Sequence, residues 1–207
     1  MSARPKRPVR RKVGRPGDGV DLRGAILDAT LGLLVTTGSP DRVTIATIVG
    51  EVRCTPPSLY HYWPKRELLL QEASAQGWAQ FRTSQSGAVG REPDPIERLR
   101  QRGKAYLDFA LARPALFRVL FLEPPVASPS EPPAEPGEAL NELVSDVTAA
   151  MALGRLRRAE PFTIALALWS AIHGVASLSA VTPNLPPELA RAVAELAQEA
   201  LLAGLAA

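Results

Sequence analysis

Six prolines stand where a helix is able to begin, and the stretches after them repeat apolar residues at intervals of three and four. Proline has no N–H and a φ locked near −65°, so it is tolerated in the first turn of a helix, where the N–H has no intrahelical partner, and breaks one further in. Pro56, Pro64, Pro95, Pro114, Pro161 and Pro187 therefore divide most of the chain into helical segments. No segment shows sustained strand alternation and no internal repeat is present, so the fold class expected is all-α with about nine helices.

The first helix is expected over about 21–37, with Leu22, Ile26, Leu27, Leu33 and Leu34 at helical spacing and Gly38 as its stop. The second follows Thr44, a good N-cap, with Ile45, Ile48, Val49 and Val52 on one stripe. A break at Arg53-Cys54 precedes a third, short helix from Thr55 to about Tyr62. A long helix over roughly 65–86 carries Leu68, Leu69, Ala73, Trp78 and Phe81. Asp94-Pro95-Ile96-Glu97 starts the fifth, whose Ile96, Leu99, Tyr106 and Phe109 share a face. Pro114 ends that helix and starts a short one, 115–122. Six prolines and three glutamates make 123–137 a surface loop. The seventh helix runs to about Leu156. The eighth, 162–181, is apolar nearly all round and must be covered on most sides. The ninth, 187–205, carries Leu189, Val193, Leu196 and Ala200 in a stripe.

Charge is unevenly placed. Residues 1–20 hold seven basic residues against Asp18 alone, a net of +6, so the remaining 187 residues carry −3 of the total +3. This Pro-, Gly- and Arg-rich segment lacks apolar periodicity and reads as a disordered basic arm suited to a polyanion, with Arg10, Arg11, Lys12 and Arg15 as its candidate DNA contacts. Within it, Val13-Gly14-Arg15-Pro16 has the Gly-Arg-Pro core of minor-groove hooks. One cysteine allows no internal disulfide, and one Cys with two His falls short of a four-ligand zinc site, so neither metal nor cofactor is expected, and a reducing cytoplasm fits. No uninterrupted apolar run reaches about 18 residues, and the basic N-terminus is not followed by the apolar core of a signal peptide, so no membrane role is expected. There is no G-x-S-x-G, phosphate-binding glycine loop, metal-ligand spacing or apolar carboxylate pair, which argues against an enzyme.

Three helices within some 40 residues, the last two short and joined by a tight turn, describe a helix-turn-helix. A short helix braced by another fits the major groove of DNA, about 12 Å wide. Thr55, Ser58, Tyr60 and His61 place small or aromatic hydrogen-bonding groups on that helix, and Lys65 and Arg66 follow where they reach the phosphate backbone. Here Val43-Thr44-Ile45, Ile48-Val49 and Thr55-Pro56-Pro57-Ser58-Leu59-Tyr60-His61-Tyr62-Trp63-Pro64-Lys65-Arg66-Glu67-Leu68-Leu69 resemble the N-terminal domain of the TetR family of bacterial repressors. The resemblance implies that Leu59 anchors the recognition helix, that Tyr60 and Tyr62 meet phosphate or base edges, that Lys65 or Arg66 contacts phosphate, and that Thr44 caps its helix beside the backbone. Two departures stand out. Arg53 occupies a turn position where the family usually has Gly; a left-handed conformation there costs Arg about 1 kcal/mol or more. Pro57 presents an apolar surface near the bases, which suits a thymine methyl. Trp63 reads as packing between the third and fourth helices.

Further along, Leu111-Ala112-Arg113-Pro114-Ala115-Leu116-Phe117-Arg118-Val119-Leu120-Phe121 and Leu168-Trp169-Ser170-Ala171-Ile172-His173-Gly174 resemble regulatory domains named for a Trp-His-Gly motif. By this resemblance the chain divides into the arm (1–20), a helix-turn-helix domain (21–68) and an effector-binding and dimerisation domain (69–207). Trp78, Phe81, Tyr106 and Phe109 are candidates to line an effector cavity, together with Phe117, Phe121, Trp169 and His173; plain core packing is the alternative for each. The effector implied is largely apolar, with one or two hydrogen-bonding groups supplied by Tyr106, His173, Ser170 or Thr163. The last two helices resemble the family's dimer interface, and a homodimer suits a palindromic operator on double-stranded DNA, whose half-sites lie about 34 Å apart. A small-molecule effector releasing a repressor is the family expectation. The residues do not separate repressor from activator, and a sequence-tolerant architectural DNA-binding protein is the remaining reading.

Overall fold

A computed structural model describes residues 21–124, 135–182 and 184–207. Its helices are α1 (Leu22–Thr37), α2 (Ile45–Val52), α3 (Pro56–Tyr62), α4 (Arg66–Val89), α5 (Pro95–Ala112), α6 (Pro114–Phe117), α7 (Glu135–Ala152), α8 (Pro161–Val181) and α9 (Pro187–Gly204). A 3₁₀ turn occupies Pro40–Arg42, and a π-helical turn, Arg118–Leu122, continues α6. The fold is all-α, as the proline and apolar pattern predicts.

Local chemistry sets the boundaries. Asp21 caps α1 by accepting the Gly24 N–H at 2.9 Å, and Gly38 ends it at φ 65°. Asp94 caps α5 through the Ile96 N–H at 3.0 Å, with Pro95 in the first turn. Glu160 caps α8, accepting from Phe162 and Thr163 N–H at 3.0 and 2.5 Å. Two boundaries differ from the sequence reading. α7 starts at Glu135, inside the segment read as loop, and stops at Ala152 rather than Leu156. Gly154 turns the chain at φ 66°, and Leu156 then pairs with Ala206 while the Arg157 N–H donates to the Leu205 carbonyl at 2.8 Å. That bridge to the C-terminus draws 153–157 out of the helix.

The buried residues form three clusters. Ile26, Leu34, Val43, Ile48, Leu59 and Trp63 build the core of a small head. Leu69, Leu70 and Ala73 from the first turns of α4 complete it, together with Val119 from the π turn. The head's core therefore reaches past residue 68, along a helix that runs unbroken into the body. A second cluster gathers the aromatic residues of α4, α5, α6 and the π turn against α8 and α9. A third packs α5, α7, α8 and α9 around Leu99, Val147, Ile164 and Leu168.

α8 corrects the expectation from uninterrupted apolar runs. With 21 residues and a mean hydropathy of 1.7 over an 18-residue stretch, it is long and apolar enough, by length and composition, to cross a membrane. It packs on α5, α7 and α9, burying Ile164, Ala165, Leu168, Ile172, Val175 and Ala176. Nor is it covered on most sides: Phe162, Leu166, Leu178 and Val181 remain exposed on the other face, with Ser170 between them. α9 is inverted relative to its sequence stripe. Ala190, Ala194, Gln198 and Leu202 are buried, while Leu189, Val193, Leu196 and Ala200 face outward.

Candidate nucleic-acid interface and ligand cavity

The head presents α3 to solvent. Thr44 and Thr47 cap α2 reciprocally: Thr44 Oγ1 accepts the Thr47 N–H at 3.2 Å and Thr47 Oγ1 accepts the Thr44 N–H at 3.0 Å. Thr47 stands where Glu or Gln usually completes such a box, so it is easily passed over in sequence. Arg53 adopts φ 59° and ψ 39°, the left-handed conformation expected at this turn, and is the only non-glycine residue with positive φ among those described. Thr55 then caps α3, its hydroxyl 3.4 Å from the Ser58 N–H and 2.9 Å from Ser58 Oγ, so Ser58 is partly engaged by the cap. Leu59 and Trp63 are buried, and Pro56, Pro57, Tyr60, His61 and Tyr62 are exposed. Tyr60 and Tyr62 keep 46% and 39% of their surface, unusual for aromatic side chains on a helix already braced by two neighbours.

Trp63 shows how the brace works. Its Nε1 donates to Glu72 Oε2 at 2.6 Å, Arg23 ion-pairs with the same carboxylate, and the Arg23 guanidinium lies 5.3 Å from the indole centroid. One α1 cation and one α4 anion thus fix the end of α3. These partners were not legible in sequence, because Arg23 and Glu72 lie 49 residues apart. The two basic residues after α3 divide. Arg66 turns inward, its Nη1 donating to the Pro40 and Val43 carbonyls at 3.3 and 3.4 Å. Lys65, at the N-cap of α4, is exposed and makes no capping bond. Arg10, Arg11, Lys12 and Arg15 lie outside the described residues.

In the body, a cavity of about 220 Å³ opens between α4, α5, α7, α8 and α9. Phe81, Tyr106, Phe121 and Trp169 lie on its wall. Trp78, Phe109 and Phe117 do not; they stand behind it, with ring centroids 5.8, 5.2 and 4.9 Å from those of Phe81, Phe81 and Phe121. His173 is also one layer back. Its Nδ1 is 2.7 Å from the Tyr106 hydroxyl, and its ring stacks on Trp169 at 4.6 Å. Burial lowers the His173 pKa below its ordinary range and raises that of the Tyr106 phenol, so both are neutral near pH 7. Ser170 and Thr163 are exposed on the opposite face of α8 and contribute nothing to the cavity.

The remaining wall is apolar at Leu99, Leu140, Leu143, Leu168 and Ile172, and polar at residues the sequence did not single out: Arg82, Gln85, Arg102, Glu142 and Gln198. Gln198 Nε2 donates to the Leu99 carbonyl at 2.7 Å. Gly103 makes room for it, since a Cβ there would stand 2.5 Å from that nitrogen. Gln85 meets the same helix from α4, its amide nitrogen 3.3 Å from the Arg102 carbonyl and its oxygen 3.1 Å from the Tyr106 nitrogen. Arg102 donates to Asp146 Oδ2 at 2.6 Å and to Glu142 Oε2 at 2.7 Å, while Arg98 donates to Asp146 Oδ1 at 2.6 Å. No group of three or more metal-ligating side chains occurs among the described residues.

Comparison with known proteins agrees with this architecture. Residues 99–203 match the profile of the tetracyclin repressor-like C-terminal domain. Among solved structures, a protein of unknown function from Rhodococcus sp. RHA1 superposes with a TM-score of 0.75 at 23% identity, covering 94% of this chain and 100% of its own. A TetR-like transcriptional regulator from the same organism gives 0.64 at 18%, covering 93% and 100%. AibR, solved in complex with isovaleryl coenzyme A and operator DNA, gives 0.64 at 18%, covering 89% and 98%. No protein of curated function matches the sequence. With a regulatory-domain profile spanning half its length, behind a three-helix head, this chain belongs to the TetR family of DNA-binding transcription regulators.

Proposed function

We propose that the protein is a homodimeric repressor that reads a palindromic operator with α3 and is released by a small effector held in the body cavity. The observation that carries this reading is the exposed row on α3. Pro57, Tyr60, His61 and Tyr62 face solvent on a helix whose other side is fixed by Leu59 and Trp63. A hydrogen-bonding aromatic surface held this rigidly is preorganised for a partner, and the fold supplies the groove-sized element. Thr44, Thr55 and Lys65 sit beside it to meet phosphate, and Arg66 supports the head from within. The arm adds sequence-independent affinity through Arg10, Arg11, Lys12 and Arg15.

The dimer face is α8 with α9. Phe162, Leu166, Leu178, Leu189, Val193 and Leu196 are large apolar residues left exposed on these two helices. Gly174 lies on the same side of α8, and a Cβ there would meet nothing within 4 Å in this chain. A glycine with open space between apolar neighbours suits close approach by a helix of a second copy. The Trp169-to-Gly174 segment, with its Trp–His stack, supports assignment of the body to the Trp-His-Gly type.

The π turn supplies the route between effector and head. Phe121 is on the cavity wall, and Val119, two residues earlier, is fully buried in the head's core. Arg118 ties the same turn to the Ala180 carbonyl of α8 at 3.0 Å. A ligand that displaces Phe121 therefore moves Val119 and the start of α4 together, provided it binds the two states with different affinity. Such a regulator acts in the cytoplasm, where its DNA is.

Footprinting of Tyr60→Ala on the gene's own upstream region tests this directly. The variant should lose operator protection while remaining dimeric. Normal protection, or equal displacement of wild-type protein by unrelated DNA, would overturn the sequence-specific reading.

A further inference from the structure

We infer that the effector carries an anionic group, a carboxylate on a short apolar chain, which Arg102 receives in place of Glu142. This rests on the reading that the cavity holds the effector. The argument is an asymmetry in how opposite charges are held around the cavity. Arg102 is fixed: its side chain is only 14% exposed, and buried Asp146 anchors its Nε. The other two ion-paired carboxylates of α7 are loose. Glu142 and Glu138 keep 49% and 61% of their side-chain surface, so either swings into water at little cost. Glu142 is itself a carboxylate resting on a guanidinium that lines the cavity. An incoming carboxylate reproduces that pairing, returns Glu142 to solvent and seats its chain against Phe81, Phe121 and Trp169. A cationic ligand finds no comparable fixed anion, because Asp146 is already saturated by Arg98 and Arg102.

Size narrows the class further. A cavity of about 220 Å³ walled by Phe81, Phe121 and Trp169 suits a small acid with a short apolar chain. Gln85 and Gln198 already spend their amides on α5, and a neutral carbonyl draws less from Arg102 than a carboxylate does.

The test uses the full-length protein, titrated calorimetrically with hexanoate and with hexanamide, which match in shape and differ in charge. Hexanoate should bind about tenfold tighter or more, the scale of one charge-assisted hydrogen bond. Glu142→Gln should strengthen hexanoate binding severalfold and affect hexanamide much less, because it removes the competing carboxylate. Arg102→Gln should abolish the preference; should that variant fail to fold, the exposed Glu142→Gln decides alone. Equal affinities, no binding of either probe, or an unchanged hexanoate affinity in Glu142→Gln would overturn the inference. A parallel operator titration separates the two readings. Hexanoate that binds tightly without changing DNA affinity would sink the effector mechanism and leave the acid site standing.

Discussion

Leu196→Glu is the most informative single change, because in this chain Leu196 has almost nothing to lose. It is 72% exposed, the most open of the large apolar residues on α8 and α9. Burying a leucine side chain completely is worth about 1.5–3 kcal/mol, so roughly 70% of that, about 1–2 kcal/mol, remains available to an interface. A two-fold dimer counts the residue twice, which makes about 2–4 kcal/mol, or a rise in dimer Kd of roughly 30-fold to several hundredfold. Desolvating two carboxylates adds to the loss. Sedimentation equilibrium across a concentration series measures Kd, and circular dichroism at dilutions where both proteins are monomeric measures folding. The expected outcome is a weakened dimer with an unchanged monomer melt. An unchanged Kd would refute the assignment of α9's outer face to the interface. A monomer melt lowered by several degrees would refute its exposure in this fold.

Three other changes probe the head, the connection and a helix cap. Trp63→Phe keeps a six-membered ring but loses the rest of the buried indole with the N–H donated to Glu72; the hydrogen bond contributes near the lower end of about 1.5–3 kcal/mol for a partly solvated carboxylate, the lost volume adds a cavity cost, and a stability unchanged within error in urea denaturation would show the bond to be idle. Val119→Ala removes two methyl-sized groups from the fully buried bridge to the head and should cost about 2 kcal/mol with its cavity term, while weakening the effector's influence on DNA binding; a full effector response would exclude the π turn as the route. Glu160 tests pH dependence. Backbone N–H groups of Thr163 and Phe162 hold its pKa below the ordinary carboxylate range, so its contribution is present at neutral pH and is lost as pH falls through the folded-state value. Glu160→Gln should therefore destabilise the protein at pH 7, by a margin that shrinks as pH falls below the ordinary carboxylate range, and a difference independent of pH would refute the capping role.

Much of the fold was legible because its signals are local. Pro56, Pro95, Pro114, Pro161 and Pro187 each fall in the first turn of a helix, and Thr44, Thr55 and Asp94 cap theirs. The left-handed turn at Arg53 and the anchoring role of Leu59 were readable through the family resemblance, and Trp63 reads as packing between two helices. The cavity was half legible. An aromatic at helical spacing announces that it is buried, not in which layer, so Phe81 and Phe121 could not be told from Phe109 and Phe117. Its polar wall was hidden for a different reason. Gln85, Arg102 and Gln198 satisfy themselves on groups of other helices, and a polar residue on a helix reads as solvent-facing until those partners are known.

α9 draws the boundary between the two kinds of information. The sequence by itself determined that 187–204 is a helix and that Leu189, Val193, Leu196 and Ala200 share a stripe. Only the tertiary structure decided that this stripe faces outward while Ala190, Ala194, Gln198 and Leu202 pack inside. Helical periodicity is a property of a segment and fixes which residues lie together. Which face goes inward depends on the shape of what it must meet, and here α5, with Gly103 and an open Leu99 carbonyl, admits small residues and one amide. Leu189, Val193 and Leu196 are left outside, available to another molecule.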